Sequence, residues 1–203
     1  TPIFSQRFVG GAGIVAAHAD SLAYASHFVS ICGDDEAGRY AQEQMPHAVK
    51  ELHIVTDESR PTTVKTRYRS GGKSLLRVNE FRDHELDSQR KNEIMQIAAG
   101  LITQVDLVIF SDFSYGFFSD GMIKELCQLV QDAGVVMAAD SQSSSQIGDI
   151  SRFTGMSLIT PTEREARLAT RNKHGGLVVV AEELQELTDV ENVILTLGAE
   201  GVF

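Results

Sequence analysis

The hydrophobic pattern alternates between two kinds of segment. Val105–Phe110 (VDLVIF), Val135–Ala139 (VVMAA), Ser157–Thr160 (SLIT) and Val193–Leu197 (VILTL) are short, β-branched-rich apolar runs, the kind that fill a sheet covered on both faces. Between them the apolar positions change to helical spacing. Ile94, Ile97, Ala98 and Leu101 fall at i, i+3, i+4 and i+7, and Met122, Leu126, Leu129 and Val130 form a similar stripe. Ser119 and Asp120 offer an N-cap for the second stripe, and Gly134 a C-terminal stop. Strand–helix–strand alternation predicts an α/β chain with a mainly parallel sheet layered by helices.

One stretch departs from this rhythm. Thr62–Tyr68 alternates polar and apolar as a strand does, Ser70-Gly71-Gly72-Lys73 supplies a turn, and Ser74–Phe81 returns. A β-hairpin over 62–81 is predicted, inserted in the α/β pattern. Ser141–Ser145 reads as a short polar loop at a strand's carboxyl end, and no internal repeat or low-complexity tract is present.

Composition narrows the class. The chain has 203 residues, 42% hydrophobic and 23% charged, which suits a globular α/β domain with a sizeable core. No apolar run approaches the ~18 residues of a membrane span. Cys32 and Cys127 both sit in apolar runs, so buried thiols and a reducing cytoplasm are expected. The net charge of −10 argues against a nucleic-acid surface. The chain begins at Thr1 without a methionine and stops at Phe203 inside a strand-like run, so a domain incomplete at both ends is expected.

Four segments carry candidate chemistry. Gly10-Gly11-Ala12-Gly13 places small residues before a helix, where backbone amides can approach a polar ligand. The same segment also reads Gly11–Ala16 as GxGxxA, with Asp34 about 20 residues on, as a dinucleotide site requires. A plain turn is the third reading. Gly33-Asp34-Asp35-Glu36-Ala37-Gly38 follows a strand, and capping of the next helix explains its acids. Thr162 with Glu165 forms the S/T-x-x-E pattern of a capping box. Thr196-Leu197-Gly198-Ala199-Glu200-Gly201 carries glycines suited to a tight turn.

Other groups carry less. Gly72-Lys73-Ser74 ends like a phosphate-binding loop, but Arg67 stands at its required first glycine. His18, His27, His47, His53, His84 and His174 show no metal-binding spacing and are expected at the surface or in packing. Arg60, Lys65, Arg67, Arg69, Lys73 and Arg77 gather cations around the hairpin; the plain reading is a solvated face, the functional one a phosphate receiver.

In their order, VGGAGIVA, GDDEAG, PTTVKTRYRS, LLRVNEF, SDFSYG, TPTERE and TLGAEG resemble the ribokinase-like (PfkB) carbohydrate kinases over nearly the whole chain. The likeness is greatest to the kinase half of ADP-heptose synthesis enzymes, which phosphorylate C1 of a heptose 7-phosphate. It implies a three-layer α/β/α fold with a mainly parallel central sheet and a small β lid formed by the hairpin. It also implies phosphorylation of a sugar or sugar phosphate with ATP and Mg2+. By the same resemblance Gly10, Gly11, Lys65, Arg67 and Asp112 would contact the sugar. Thr162, Glu165, Thr196, Gly198 and Gly201 would face the nucleotide, with Glu165 helping to hold the metal. By the same resemblance a homodimer through the lid is expected.

The sequence departs from its relatives at named places. Ile14 stands where they carry a sugar-binding Asn, and Thr162 where TPNxxE has its Asn. SDYxKG becomes Ser111–Gly116 with Tyr115 for the lysine, DPK becomes Asp140-Ser141-Gln142, and Asn79 replaces a common Asp. The family's catalytic Asp lies in a GAGD segment, and none occurs in these 203 residues. The residues alone are therefore expected to transfer no phosphate. Two other classes remain open: a non-catalytic sugar or nucleotide binder, and the dinucleotide-dependent enzyme.

Overall fold

A computed structural model describes residues 4–143 and 146–203. The chain divides into two compact units, Thr1–Arg82 and Asp83–Phe203. Ser144 and Ser145 of the expected polar loop lie outside the described residues.

In the first unit, helix α1 (Ala12–Leu22) leads into strand β1 (His27–Cys32), helix α2 (Glu36–Gln44) and strand β2 (Glu51–Thr56). β1 and β2 pair in parallel, His27 opposite Glu51 through Cys32 opposite Thr56. The acids after β1 cap a helix, as expected. Asp35 is the N-cap of α2; its Oδ1 accepts from Gly38 N at 2.7 Å and its Oδ2 from Thr62 N at 2.7 Å. Space explains both glycines of GDDEAG. A Cβ on Gly38 would lie 2.3 Å from the Gly33 carbonyl, and one on Gly33 would lie 2.4 Å from the Arg60 carbonyl. The motif thus ties the end of β1, the start of α2 and the entry to the hairpin into one node.

The hairpin forms as predicted. Strands β3 (Val64–Ser70) and β4 (Lys73–Glu80) are antiparallel, joined through Gly71 and Gly72 at φ 54° and 79°. Two consecutive positive φ values make the twist-matched two-residue turn that glycine permits. The pairing shifts by one residue beside Tyr68, and Arg67 lies directly opposite Arg77. Arg60 leaves the expected cationic group: its Nε donates to Asp57 Oδ2 at 2.7 Å, with both side chains only 3% exposed.

The second unit is a four-stranded parallel sheet in the order β5 (Leu107–Asp112), β6 (Val136–Ser141), β7 (Leu158–Ile159), β8 (Asn192–Val193). Helices α3 (Ser88–Leu101), α4 (Asp120–Asp132), α5 (Glu163–Thr170) and α6 (Leu177–Thr188) belong to this unit. Ser119 caps α4 by accepting from Met122 N, and Gly134 ends it at φ 69°. Phe110, Phe118 and Phe153 pack ring against ring at centroid distances of 5.8–6.0 Å, with Phe153 fully buried. Cys32 and Cys127 are free and buried, and burial pushes the Cys127 thiol up to about 11. Among the described residues no helix is long and apolar enough to cross a membrane.

The strand expected over Val193–Leu197 is shorter than its sequence suggests. Regular pairing with β7 covers only Asn192 and Val193, and Thr196 then makes isolated bridges to Thr162 and Val202. The neighbouring strand meets Pro161, which has no N–H to donate, so the ladder breaks there and resumes at Thr162.

Candidate functional site in the second unit

Parallel sheets present ligand-binding loops at the carboxyl ends of their strands. In the second unit four segments converge there: the ends of β5 and β6, the start of α5 after β7, and the turn after β8.

Asp112 closes β5 and is 3% exposed. Its carboxylate accepts from Ser114 N at 2.8 Å and from the Ser141 hydroxyl at 3.0 Å, with Arg152 Nη1 at 3.7 Å. The following SDFSYG loop bends through Ser114 at φ 58° and Gly116 at φ 75°. Gly116 admits no side chain, because a Cβ would lie 2.1 Å from the His84 carbonyl.

Asp140 sits one residue before the end of β6 and behaves differently. Burial pushes its carboxyl above the ordinary range; the charges of Glu165 and Asp112 push the same way, against hydrogen bonds from Gln142 and Thr160. Thr160 Oγ1 lies 3.4 Å from Asp140 Oδ1. In the sequence Asp140 stands out only as the remnant of a DPK motif. The available signal is a carboxylate directly after the apolar run Val135–Ala139.

Thr162 and Glu165 form a complete capping box at the start of α5. Glu165 N donates to Thr162 Oγ1 at 3.2 Å, and Glu165 Oε2 accepts from Thr162 N and Thr162 Oγ1, both at 2.8 Å. Glu165 Oε1 accepts from Ser143 N. The carboxylate is 7% exposed and holds two loops together as well as capping a helix. Thr196 stands beside this box: its N donates to the Pro161 carbonyl at 2.9 Å, and its carbonyl accepts from Glu163 N. The chain then turns through Gly198–Glu200 and returns, with Leu195 and Phe203 exchanging both backbone bonds. Gly198 at φ 64° and Gly201 at φ 99° supply the conformations this hairpin needs.

The remaining expected site residues belong to the first unit. Gly11, at φ 55°, is the N-cap of α1, and Gly10 precedes it. Lys65 and Arg67 lie on β3, Lys65 half-buried and Arg67 exposed. The dinucleotide reading of Gly11–Ala16 loses its support here. Residues 4–10 form no strand, so the strand–turn–helix that would place a pyrophosphate at α1 is missing.

Comparison with known proteins agrees with this architecture. The pfkB family carbohydrate kinase pattern matches residues 5–203, and the chain belongs to that family. Curated relatives include the bifunctional protein HldE of Desulfatibacillum aliphaticivorans, 27% identical over 96% of this chain and 40% of the relative. HldE of a Caulobacter species (strain K31) is 30% identical over 96% of this chain and 39% of the relative. The chain thus spans about 40% of the length of these relatives. Among solved structures, Escherichia coli phosphofructokinase-2 in complex with fructose-6-phosphate superposes with a TM-score of 0.72 at 14% identity, over 95% of this chain and 63% of that one. Arabidopsis thaliana ribokinase complexed with ribose and ATP gives 0.66 at 16%, over 94% and 61%. The fold is ribokinase-like: mixed α/β with a mainly parallel sheet, as the sequence led one to expect.

Proposed function

We propose that the full-length protein transfers the terminal phosphate of ATP to a hydroxyl of a sugar phosphate, with a heptose 7-phosphate as the leading substrate. Membership of the carbohydrate kinase family supports the reaction class. The observation that carries the site is the meeting of Asp112, Asp140, Glu165 and Thr196 at the carboxyl ends of one parallel sheet.

Phosphoryl transfer asks the protein mainly to position its partners and to neutralise charge on the moving group. Mg2+ takes oxygen ligands and keeps part of its water. The residues fit that ion: Asp140 is ionisable, and a divalent cation would relieve the like-charge pressure from Glu165 and Asp112. Asp140 would hold the metal, and Glu165 would reach it through water, since both its oxygens already accept hydrogen bonds. When bound, the ion would draw charge from the phosphate oxygens. The Thr196 hydroxyl and the Gly198–Gly201 turn are assigned to the phosphate chain. Gly10 and Gly11 would abut the sugar, and Lys65 and Arg67 would receive its phosphate. Arg67 opposite Arg77 is unfavourable on a bare hairpin, and an anion between them would remove the repulsion.

The 203 residues hold no GAGD segment, so turnover is expected of the full-length protein and not of these residues alone. The test is ADP release with Mg-ATP across a panel of sugars and sugar phosphates. Release with a heptose 7-phosphate, lost in Asp140→Asn, is the expected result. The losses at Ile14, Thr162, Tyr115 and Gln142 favour a second reading, a binding domain without turnover. Tight sugar binding with no ADP from the full-length protein would replace the first reading with that one.

A further inference from the structure

The histidines were expected at the surface or in packing, and two of them, both partly buried, meet in the first unit. β1 and β2 start side by side, and their parallel register sets His27 opposite Glu51. His53, two residues further along β2, projects from the same face as Glu51. His27 Nδ1 lies 3.1 Å from Glu51 Oε2, and His53 Nε2 lies 3.8 Å from the same oxygen. All three donor atoms fall within 4.8 Å of one another. The two imidazoles face each other at a centroid distance of 6.3 Å and are inclined by 23°.

Ordinary packing does not account for these atoms. His27 Nδ1 and His53 Nε2 are shielded from solvent, yet neither makes a hydrogen bond. The 3.1 Å approach to Glu51 is close but lacks hydrogen-bond alignment. Buried nitrogens of this kind are rare and call for a partner. The His27 side chain is 11% exposed and Glu51 49%, so the cluster is walled on one side and open on the other.

We infer that His27, Glu51 and His53 form a binding site for a divalent first-row transition ion of the zinc class. Two imidazole nitrogens and one carboxylate oxygen are a recurrent donor set for such ions, with a fourth position left to solvent. Ligand atoms around tetrahedral zinc stand about 3.3 Å apart. The His27–Glu51 pair already has that spacing, and the remaining pairs reach it by drawing in by ~1 Å. Magnesium, which prefers all-oxygen surroundings, is not the ion that fits. The site lies at the amino ends of β1 and β2, whereas the Gly33–Gly38 node lies at the carboxyl end of β1, about 20 Å along the strand. A bound ion would clip the two strands together.

The test is metal titration of chelator-treated full-length protein, with Zn2+ against a competing chromophoric chelator and with Co2+ read by visible absorption. One equivalent should bind, Co2+ should show the intense d–d bands of a four-coordinate ion, and excess Mg2+ should not compete. Glu51→Gln and His53→Gln should each weaken Zn2+ binding tenfold or more, while His174→Gln, in the other unit, should leave it unchanged. Both test positions are more exposed than His27, so folding of the variants is expected and circular dichroism checks it. Absence of stoichiometric binding overturns the site, as does binding that both substitutions leave intact. Either result would reduce the cluster to a plain histidine–glutamate contact between the two strands.

Discussion

Asp35 in the first unit and Asp140 in the second hold similar places: each stands at the carboxyl end of a parallel strand. Their surroundings push them in opposite directions. Burial alone would raise both. At Asp35 hydrogen bonds from Gly38, Thr62 and Ala37 outweigh burial and hold the carboxyl below its usual range. At Asp140 burial wins, with the charges of Glu165 and Asp112 adding to it. A carboxylate surrounded by donors is structural, because it is stabilised without any ligand. Asp140, where burial and two nearby carboxylates outweigh the hydrogen bonds from Gln142 and Thr160, lacks that compensation, and a cation would supply it. The difference separates the GDDEAG node, which holds the fold, from the Asp140 cluster, where the proposed function places its cation.

The harshest test of the first half of that contrast is Gly38→Ala. The new methyl would lie 2.3 Å from the Gly33 carbonyl and 2.9 Å from Thr62 Oγ1, so α2 must move away from β1. A loss of roughly 3 kcal/mol or more is expected, seen as a fall in urea midpoint with early loss of amide protection in the first unit. A midpoint within experimental error of the parent would show that the node is not rigid.

Glu165→Ala probes the second region and should rank next. It leaves Ser143 N and Thr162 N without their acceptor and removes the capping box of α5. About 2–3 kcal/mol of stability should be lost. Glu165→Gln keeps one acceptor oxygen and should recover part of the loss. If it restores stability but not stabilisation by Mg-ATP, the cap and the ligand role of Glu165 separate cleanly.

How much of this was legible in the sequence follows from the range of the forces involved. Caps and turns are local, so Ser119, Gly134, the Thr162–Glu165 box and the Gly71-Gly72 turn were all readable from spacing. The strand ELHIVT and the helix LVVVAEELQELT were not picked out. The helix packs only Val180, Leu184 and Thr188 fully, so its buried stripe is diluted by exposed valines and leucines. The assignment of Gly33 and Gly38 to a close approach required Arg60 and Thr62, which lie over 20 residues away. The same holds for the His27–Glu51–His53 cluster. Only Glu51-Leu52-His53 is contiguous, and the register that brings His27 alongside is a property of the sheet. Asp140 was seen as a letter in a motif because its neighbours Glu165 and Asp112 are distant in the chain.

The smallest effect is also the most direct test of the comparison: neutralising each aspartate in turn. Asp140 is raised, so the folded protein keeps its proton at pH values where the unfolded chain has lost it. Its contribution to stability is complete below the ordinary carboxylate pKa and is lost as pH rises through the folded value. Asp35 is lowered, so its contribution is present above the ordinary range and is lost as pH falls through the folded value. Near pH 7, Asp140→Asn should therefore stabilise the metal-free protein by about 1 kcal/mol, and Asp35→Asn should destabilise it by a similar amount. The Asp140 difference should shrink as pH falls toward about 4, whereas the Asp35 difference should persist there and shrink only below the ordinary carboxylate range. Mg2+ should raise the melting temperature of the parent and of Asp35→Asn while leaving Asp140→Asn unmoved. Thermal melts across that pH range, with and without Mg2+, give all these readings in one series. If both substitutions shifted stability in the same direction near neutrality, the two carboxylates would be equivalent, and the case for a cation at Asp140 would fall with the contrast.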